Sequence, residues 1–222
     1  MEASLRDPYL LARKRMVAEQ LLPRGITDKK IISIMSEIPR HIFIDEALRS
    51  QAYADHPLSI GENQTISQPF IVALMTQALG LKGNEKILEI GTGCGYQTVL
   101  LSQLGRQVFT IERIKNLALS ARSHLKALGL RNIVMRVGDG TKGWKEEAPF
   151  DAILVAAGSP EVPQPLLDQL GEGGKLVIPV GEEDSQTLFR FTKRKGEIFS
   201  ENMGPCRFVK LVGEHGWEKK RL

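Results

Sequence analysis

The 222-residue chain contains only two cysteines, four histidines and no long apolar run. Cys94 and Cys206 do not make the pattern of a disulfide-rich or metal-binding protein, and the histidines lack the spacing of metal ligands. No apolar run approaches the roughly 20 residues that span a membrane, and the first residues form no apolar signal segment. We therefore expect a cytoplasmic protein with no metal site and no membrane partner.

The chain is also poor in aromatic residues (6%), although its formal net charge is +4. A basic protein could bind nucleic acid, but the basic residues form short, scattered clusters such as Arg13-Lys14-Arg15. No aromatic residues are interleaved with these clusters to stack on bases. We expect no nucleic-acid partner, and for the assembly state we expect a monomer.

A glycine-rich turn follows an apolar strand in the sequence Ile87-Leu-Glu-Ile-Gly-Thr-Gly-Cys-Gly-Tyr96. Residues such as Gly91 and Gly93 let the backbone turn sharply and approach a ligand, and the next helix presents free N–H groups. The acidic residue Glu112 ends the next predicted strand, 21 positions after Gly91, where a carboxylate can bind ribose hydroxyls. The arrangement predicts a ligand that contains a nucleoside.

The charge of Glu89 distinguishes two ligands for this turn. A carboxylate two residues before Gly91 repels a pyrophosphate but attracts a cation. S-adenosylmethionine carries an ammonium and a sulfonium group and no phosphate, so the charge favours this methyl donor over NAD. A tight strand-to-helix turn without a ligand is the alternative interpretation.

Helical spacing of apolar residues dominates the first part of the chain. A first helix is expected up to Leu22, and Thr27 is expected to cap a second one. A third helix is expected to begin at Pro69 and to stop at Gly80.

From residue 86 onward, strand and helix patterns alternate, as is typical of a parallel sheet covered by helices. Strands are predicted at 86–90, 107–111, 133–137, 150–155 and 174–178, and helices at 95–104, 115–128 and 163–170. The last two predicted strands, 187–192 and 207–212, have no helix between them and should be antiparallel. We predict a single domain over residues 1–222 of the α/β class. It has a doubly wound, mostly parallel seven-stranded sheet, a helical part over 1–80 and a Rossmann-like core over 81–222.

Ligands of such sheets bind beyond the carboxyl ends of the strands, where the strand order reverses. The residues at those positions are Gly91, Glu112, Gly138-Asp139-Gly140 and Ala156-Ala157-Gly158. Asp139 fits a hydrogen bond from an adenine amino group. A helix N-cap or an Asx-turn is the alternative for this residue.

Several motifs resemble those of the protein-L-isoaspartate (D-aspartate) O-methyltransferase family. They are Thr65-Ile-Ser-Gln-Pro69, Leu88-Glu-Ile-Gly-Thr-Gly-Cys-Gly-Tyr-Gln97, Gly138-Asp-Gly140, Pro149-Phe-Asp-Ala-Ile153 and Arg207-Phe-Val209. The resemblance implies a class I methyltransferase fold. It also implies a repair activity, in which the methyl group of S-adenosylmethionine moves to the α-carboxylate of an L-isoaspartyl residue in a damaged protein or peptide. S-adenosylhomocysteine would be the other product, and the ester would collapse to a succinimide.

The resemblance also implies roles for individual residues. Ser67 would be the catalytic residue, and the segment Thr65, Ile66, Ser67 and Gln68 would border the cofactor. Gly91 and Gly93 would border the methionine part of the cofactor, Glu112 the ribose, and Asp139 with Gly140 the adenine. Ile66, Ser67, Phe208 and Val209 would bind the isoaspartyl substrate. Two residues depart from the family pattern, because Ser59 and Lys210 stand where proline is common.

Three alternatives to these roles stay open. Ser67 could merely cap the helix that begins near Pro69. The chain could be a methyltransferase of the same fold that acts on a small molecule or RNA. It could also bind S-adenosylmethionine without catalysis.

Overall fold

A computed structural model of the chain describes residues 7–218. The N-terminal part is helical, as predicted. Helix α1 (Leu10–Arg15) continues into a π-helical turn at Met16–Leu21, and α2 (Lys29–Glu37) follows. The carboxylate of Asp28 accepts hydrogen bonds from the backbone N–H groups of residues 30 and 31, so Asp28 and not Thr27 is the N-cap of α2.

Two short strands, β1 (Leu58–Ser59) and β2 (Thr65–Ile66), pair in the segment between α2 and α3. Helix α3 spans Pro69–Leu79 and has Pro69 at its first turn. Its bounds agree with the prediction, because proline suits the first turn and the following glycine adopts a left-handed conformation.

The remaining elements form a seven-stranded sheet with helices. The strands are β3 (Lys86–Ile90), β4 (Gln107–Glu112), β5 (Ile133–Val137), β6 (Phe150–Val155), β7 (Leu170–Glu182), β8 (Ser185–Arg194) and β9 (Glu197–Cys206), and the helices are α4 (Tyr96–Leu104), α5 (Lys115–Ala127) and α6 (Gln164–Asp168). The strand order is β5-β4-β3-β6-β7-β8-β9. Neighbouring strands from β5 to β7 are parallel, and β8 and β9 are antiparallel to their neighbours. The predicted fold class is confirmed.

The position of the last strand corrects the prediction. The strand expected at 207–212 lies instead at Glu197–Cys206, where β9 forms one edge of the sheet. Most residues of β9 are exposed, so the strand lacks the apolar pattern that marks a buried one. The apolar residues Phe208 and Val209 belong to an irregular segment, residues 207–212, that crosses the end of the sheet.

Apolar side chains from the N-terminal helices and from the sheet region share one core. Met16 and Leu21 belong to the same buried cluster as Tyr96 and Leu100 of α4. We therefore propose that residues 1–80 and 81–222 fold together as one domain, of which the first six and last four residues lie outside the described part. No helix within residues 7–218 is long and apolar enough to cross a membrane.

Candidate active site

The strand order of the sheet reverses between β3 and β6. From β3 the chain runs outward through β4 to β5, and it then returns to β6 on the other side of β3. The carboxyl ends of these strands therefore surround a cleft. An inner cavity in this cleft is lined by Gly91 after β3, Glu112 at the end of β4, Gly140 after β5 and Ala156 after β6.

The glycine turn forms one wall of the inner cavity. Gly91 and Gly93 have φ angles of +92° and +55°, which residues with a Cβ rarely adopt. The backbone N–H of Gly91 donates to the carbonyl oxygen of Ile111 at 2.9 Å, so the turn is fixed to the neighbouring strand. The turn therefore exposes backbone rather than side chains to a ligand.

Glu112 lines the inner cavity, and its contact with a ribose stays a prediction. One carboxylate oxygen accepts a hydrogen bond from the Gly93 N–H at 2.9 Å, and the other accepts one from the Ile114 N–H at 2.8 Å. Each oxygen keeps a further lone pair, because a carboxylate offers about four acceptor positions. Ile114 and Leu117 supply apolar surface beside it. Glu112 can therefore bind a ribose, and Ile114 and Leu117 can pack against the flat face of an adjoining base.

A second depression, the outer groove, adjoins the inner cavity. Gln68 and Phe208 line the outer groove, together with Phe70 and Leu74 of α3. Five residues line both spaces: Thr65, Ser67, Ala156, Val209 and Lys210. Ile66 lines the inner cavity only. The predicted segment 65–68 therefore lies at the border between the two spaces.

Ser67 does not cap α3. The N-cap of that helix is Gln68, and no side chain makes a capping hydrogen bond there. The carbonyl oxygen of Ser67 accepts a hydrogen bond of 2.7 Å from Nη2 of Arg40. The geometry thus removes the capping alternative and leaves Ser67 at the junction of the two spaces.

Glu89 is fully buried and is not part of the wall of the inner cavity. Its Oε2 accepts hydrogen bonds from the hydroxyls of Thr98 (2.6 Å) and Thr110 (2.7 Å), while its Oε1 has no partner among the described residues. Burial raises the pKa of Glu89 to about 7, although both threonine hydroxyls act in the opposite direction. The side chain thus faces two threonines and is partly protonated at neutral pH. A direct contact between Glu89 and a bound cation stays a prediction.

Asp139 lies next to the cavity-lining residue Gly140 but is not itself part of the wall. Its Oδ1 accepts hydrogen bonds from the N–H and the hydroxyl of Thr141, at 2.9 and 2.7 Å. Its Oδ2 accepts one from the Glu214 N–H at 2.9 Å. Asp139 is thus the N-cap of a 3-10 turn, as the alternative interpretation had it. One lone pair of Oδ2 stays available, and its contact with adenine remains a prediction.

The sequence did not indicate how residues 207–212 reach the site. The N–H of Gly158 donates to the carbonyl of Val209, and the N–H of Leu211 donates to the carbonyl of Gly158, both at 2.8 Å. These bonds hold the segment against the end of β6. The ammonium group of Lys210 pairs with Glu183 in the turn between β7 and β8. In the sequence, the position of Ala156 and Ala157 directly after β6 was what indicated that the carboxyl end of this strand borders the site.

Two further residues of the inner cavity are held in their neutral forms. Burial raises the pKa of the Cys94 thiol to about 11 and that of the Tyr96 hydroxyl to about 12. Neither is therefore a nucleophile at neutral pH. Within residues 7–218 no group of three His, Cys, Asp or Glu side chains is arranged to hold a metal ion.

Comparison with known proteins decides the family. A family model described as protein-L-isoaspartate(D-aspartate) O-methyltransferase matches residues 12–216. The chain belongs to this family. A protein-L-isoaspartate O-methyltransferase 1 of Syntrophobacter fumaroxidans is 58% identical over 93% of this chain and 97% of its own length. A protein-L-isoaspartate O-methyltransferase of Geobacter metallireducens is 56% identical over 93% of this chain and 96% of its own length.

Solved structures of family members have the same fold. A protein-L-isoaspartate O-methyltransferase superposes with a TM-score of 0.82 at 30% identity, covering 92% of this chain and 67% of that one. A protein-L-isoaspartate O-methyltransferase from Plasmodium falciparum, solved in complex with S-adenosyl-L-homocysteine, gives a TM-score of 0.78 at 30% identity. That match covers 90% of this chain and 98% of the other.

Proposed function

We propose that this chain transfers the methyl group of S-adenosylmethionine to the α-carboxylate of L-isoaspartyl residues in damaged proteins and peptides. One observation carries the proposal: Thr65, Ser67, Ala156, Val209 and Lys210 line both the inner cavity and the outer groove. A methyl donor in the cavity and a peptide in the groove can therefore meet at Ser67. Membership of the family supplies the identity of the substrate.

The residues of the inner cavity suit the methyl donor. S-adenosylmethionine supplies a methyl group on a positively charged sulfur, which leaves as a neutral thioether. Gly91 and Gly93 border the methionine part, Glu112 accepts hydrogen bonds from the ribose, and Asp139 with Gly140 lies at the adenine end.

The reaction demands little acid–base chemistry of the protein. The nucleophile is a carboxylate with an ordinary pKa near 4, so it is ionised at neutral pH without a general base. One carboxylate oxygen forms a bond to the methyl carbon while the carbon–sulfur bond breaks. The protein's part is to align the two groups and to exclude water. Ser67 donates a hydrogen bond that orients the carboxylate, and Ile66, Phe208 and Val209 enclose the isoaspartyl residue.

Methyl transfer into a matched pair of peptides tests the proposal. Isotopically labelled S-adenosylmethionine is incubated with an isoaspartyl peptide and with its aspartyl twin. We expect label in the isoaspartyl peptide only, as an ester. Label in RNA or in a small molecule but in neither peptide would support a different methyltransferase. Binding of S-adenosylmethionine with no transfer to any acceptor would indicate a binding module.

The cellular context is part of the same proposal. We propose that the protein acts as a cytoplasmic monomer on isoaspartyl proteins, without a nucleic-acid partner. The low cysteine content supports the cytoplasm, and the scattered basic residues support the absence of a nucleic-acid partner. Sedimentation measurements across a range of concentrations test the monomer, and cell fractionation tests the location.

A further inference from the structure

Arg40 is a buried cation without a carboxylate partner. Its side chain has 0% exposure, and among the described residues it forms no ion pair. Burial lowers the pKa of the Arg40 guanidinium from its ordinary value, yet arginine stays protonated in proteins. A buried charge is costly unless neighbouring groups compensate it. The contacts of Arg40 therefore indicate what the side chain does.

The guanidinium of Arg40 joins three segments that are distant in sequence. Nε donates to the carbonyl of Ala52 at 2.8 Å, and Nη2 donates to the carbonyl of Ser67 at 2.7 Å. The guanidinium carbon lies 4.8 Å from the centroid of the Tyr96 ring, the first residue of α4. Two carbonyl dipoles and an aromatic face thus stabilise the charge.

Two of these three partners belong to the site. Ser67 lines both the inner cavity and the outer groove, and Tyr96 lines the inner cavity. Arg40 lines neither space, so it cannot touch a ligand there. It can act only through the residues that it holds.

We propose that Arg40 is a positioning residue, which fixes the backbone between β2 and α3 at Ser67 and thereby the place of the Ser67 hydroxyl between donor and acceptor. This inference rests on the proposed function. The bond to the Ser67 carbonyl fixes the peptide plane that follows Ser67, before α3 begins. Within residues 7–218 no other hydrogen bond to Ser67 is present, so without this one Ser67 is held through its neighbours in sequence. Misplacement by about 1 Å can cost roughly 100-fold in rate.

Arg13 provides a matched control, because it is a second buried arginine in the same helical region. Its Nε donates to the carbonyl of Ser36 at 2.7 Å, and its Nη2 pairs with Asp7 at the same distance. Arg13 lines neither the inner cavity nor the outer groove. Variants of Arg13 and Arg40 therefore share the loss of a buried guanidinium but differ in the contact with Ser67.

The test compares Arg40→Met and Arg40→Lys with Arg13→Met and Arg13→Lys, using an isoaspartyl peptide. We expect Arg40→Met to lower kcat by about 10- to 100-fold while the affinity for S-adenosylmethionine changes by less than about threefold. Arg40→Lys should recover several-fold of the loss, because an ammonium can donate to the Ser67 carbonyl. The Arg13 variants should lose thermal stability but keep kcat per folded molecule.

The outcomes separate this inference from the proposed function. Equal kcat for the Arg40 and Arg13 variants would make Arg40 a purely structural residue and overturn the inference. If Arg40→Met does not fold, the comparison of Arg40→Lys with Arg13→Lys decides in the same way. A wild-type protein that fails to methylate the isoaspartyl peptide would overturn both, whereas an active wild type with unaffected Arg40 variants would overturn the inference alone.

Discussion

The carboxylate of Glu112 accepts a hydrogen bond of 2.9 Å from the backbone N–H of Gly93. Glu112 ends β4, and Gly93 lies in the turn that follows β3. One side chain thus fixes the turn and also lines the inner cavity. A residue with both roles should affect ligand affinity in two ways, through its own contact and through the shape of the turn.

Glu112→Ala should weaken the binding of S-adenosylmethionine. The loss of a charged acceptor typically costs about 1.5–3 kcal/mol, or roughly 10- to 150-fold in affinity. Calorimetric titration measures the change, and thermal unfolding shows whether the fold is intact. Glu112→Gln keeps one acceptor oxygen and should lose less affinity. An unchanged dissociation constant in the folded alanine variant would remove Glu112 from the cofactor site.

Ser67→Ala should lower turnover more than cofactor affinity. The hydroxyl lies at the border of both spaces, and a hydrogen bond to a charged group is worth about 1.5–3 kcal/mol, so we expect kcat to fall roughly 10-fold or more. Steady-state kinetics with an isoaspartyl peptide measure the effect. Ser59→Ala is the control, since Ser59 is exposed and lines neither space. Wild-type turnover in the Ser67 variant would deny this hydroxyl a role in catalysis.

Asp139→Ala should reduce both stability and cofactor affinity. The variant loses an N-cap and the tie to the Glu214 N–H, which together are worth about 1–2 kcal/mol of unfolding free energy. It also loses the acceptor that we assign to the adenine amino group, which we expect to weaken binding roughly 5- to 10-fold. Denaturant titration and calorimetry measure the two effects separately. A destabilised variant with full affinity would show that Asp139 only caps the turn.

Glu89→Gln should change how stability depends on pH. Because the pKa of Glu89 is raised in the folded protein to about 7, its contribution to stability is fully present below the unfolded pKa and is lost as the pH rises through the folded one. We therefore expect the glutamine variant to gain on the order of 2–3 kcal/mol relative to wild type between about pH 4.5 and 8. Denaturant titrations at several pH values measure this difference. A constant difference would show that Glu89 is ionised throughout.

The rate of methyl transfer should change little with pH. A carboxylate nucleophile is ionised throughout the neutral range, so we expect the single-turnover rate at saturating ligands to vary by less than about threefold between about pH 6 and 8. Glu89 titrates within this range but does not line the cavity. The pH dependence of the rate in the Glu89→Gln variant shows whether this titration affects methyl transfer. The product should be an alkali-labile ester. A rate that rises about tenfold per pH unit, with an alkali-stable product, would indicate methylation of nitrogen.

The sequence alone determined the elements whose limits depend on local signals. Strands β3, β5 and β6 have the predicted bounds. Strands β3 and β5 end directly before a glycine, and β6 begins directly after a proline. Helix α3 begins at a proline that suits its first turn. The order of these elements along the chain then placed the glycine turn and Glu112 at adjacent strand ends, since parallel strands share one carboxyl edge.

The tertiary structure alone decided the features that depend on contacts between distant residues. Strand β9 is a mostly exposed edge strand without an apolar pattern, and its pairing with β8 is what defines it. Gly158 holds residues 207–212 across the sheet, and Arg40 reaches Ser67 through a single hydrogen bond over 27 positions. Such contacts leave no period or local propensity in the sequence, because they form only when the folded core brings the segments together.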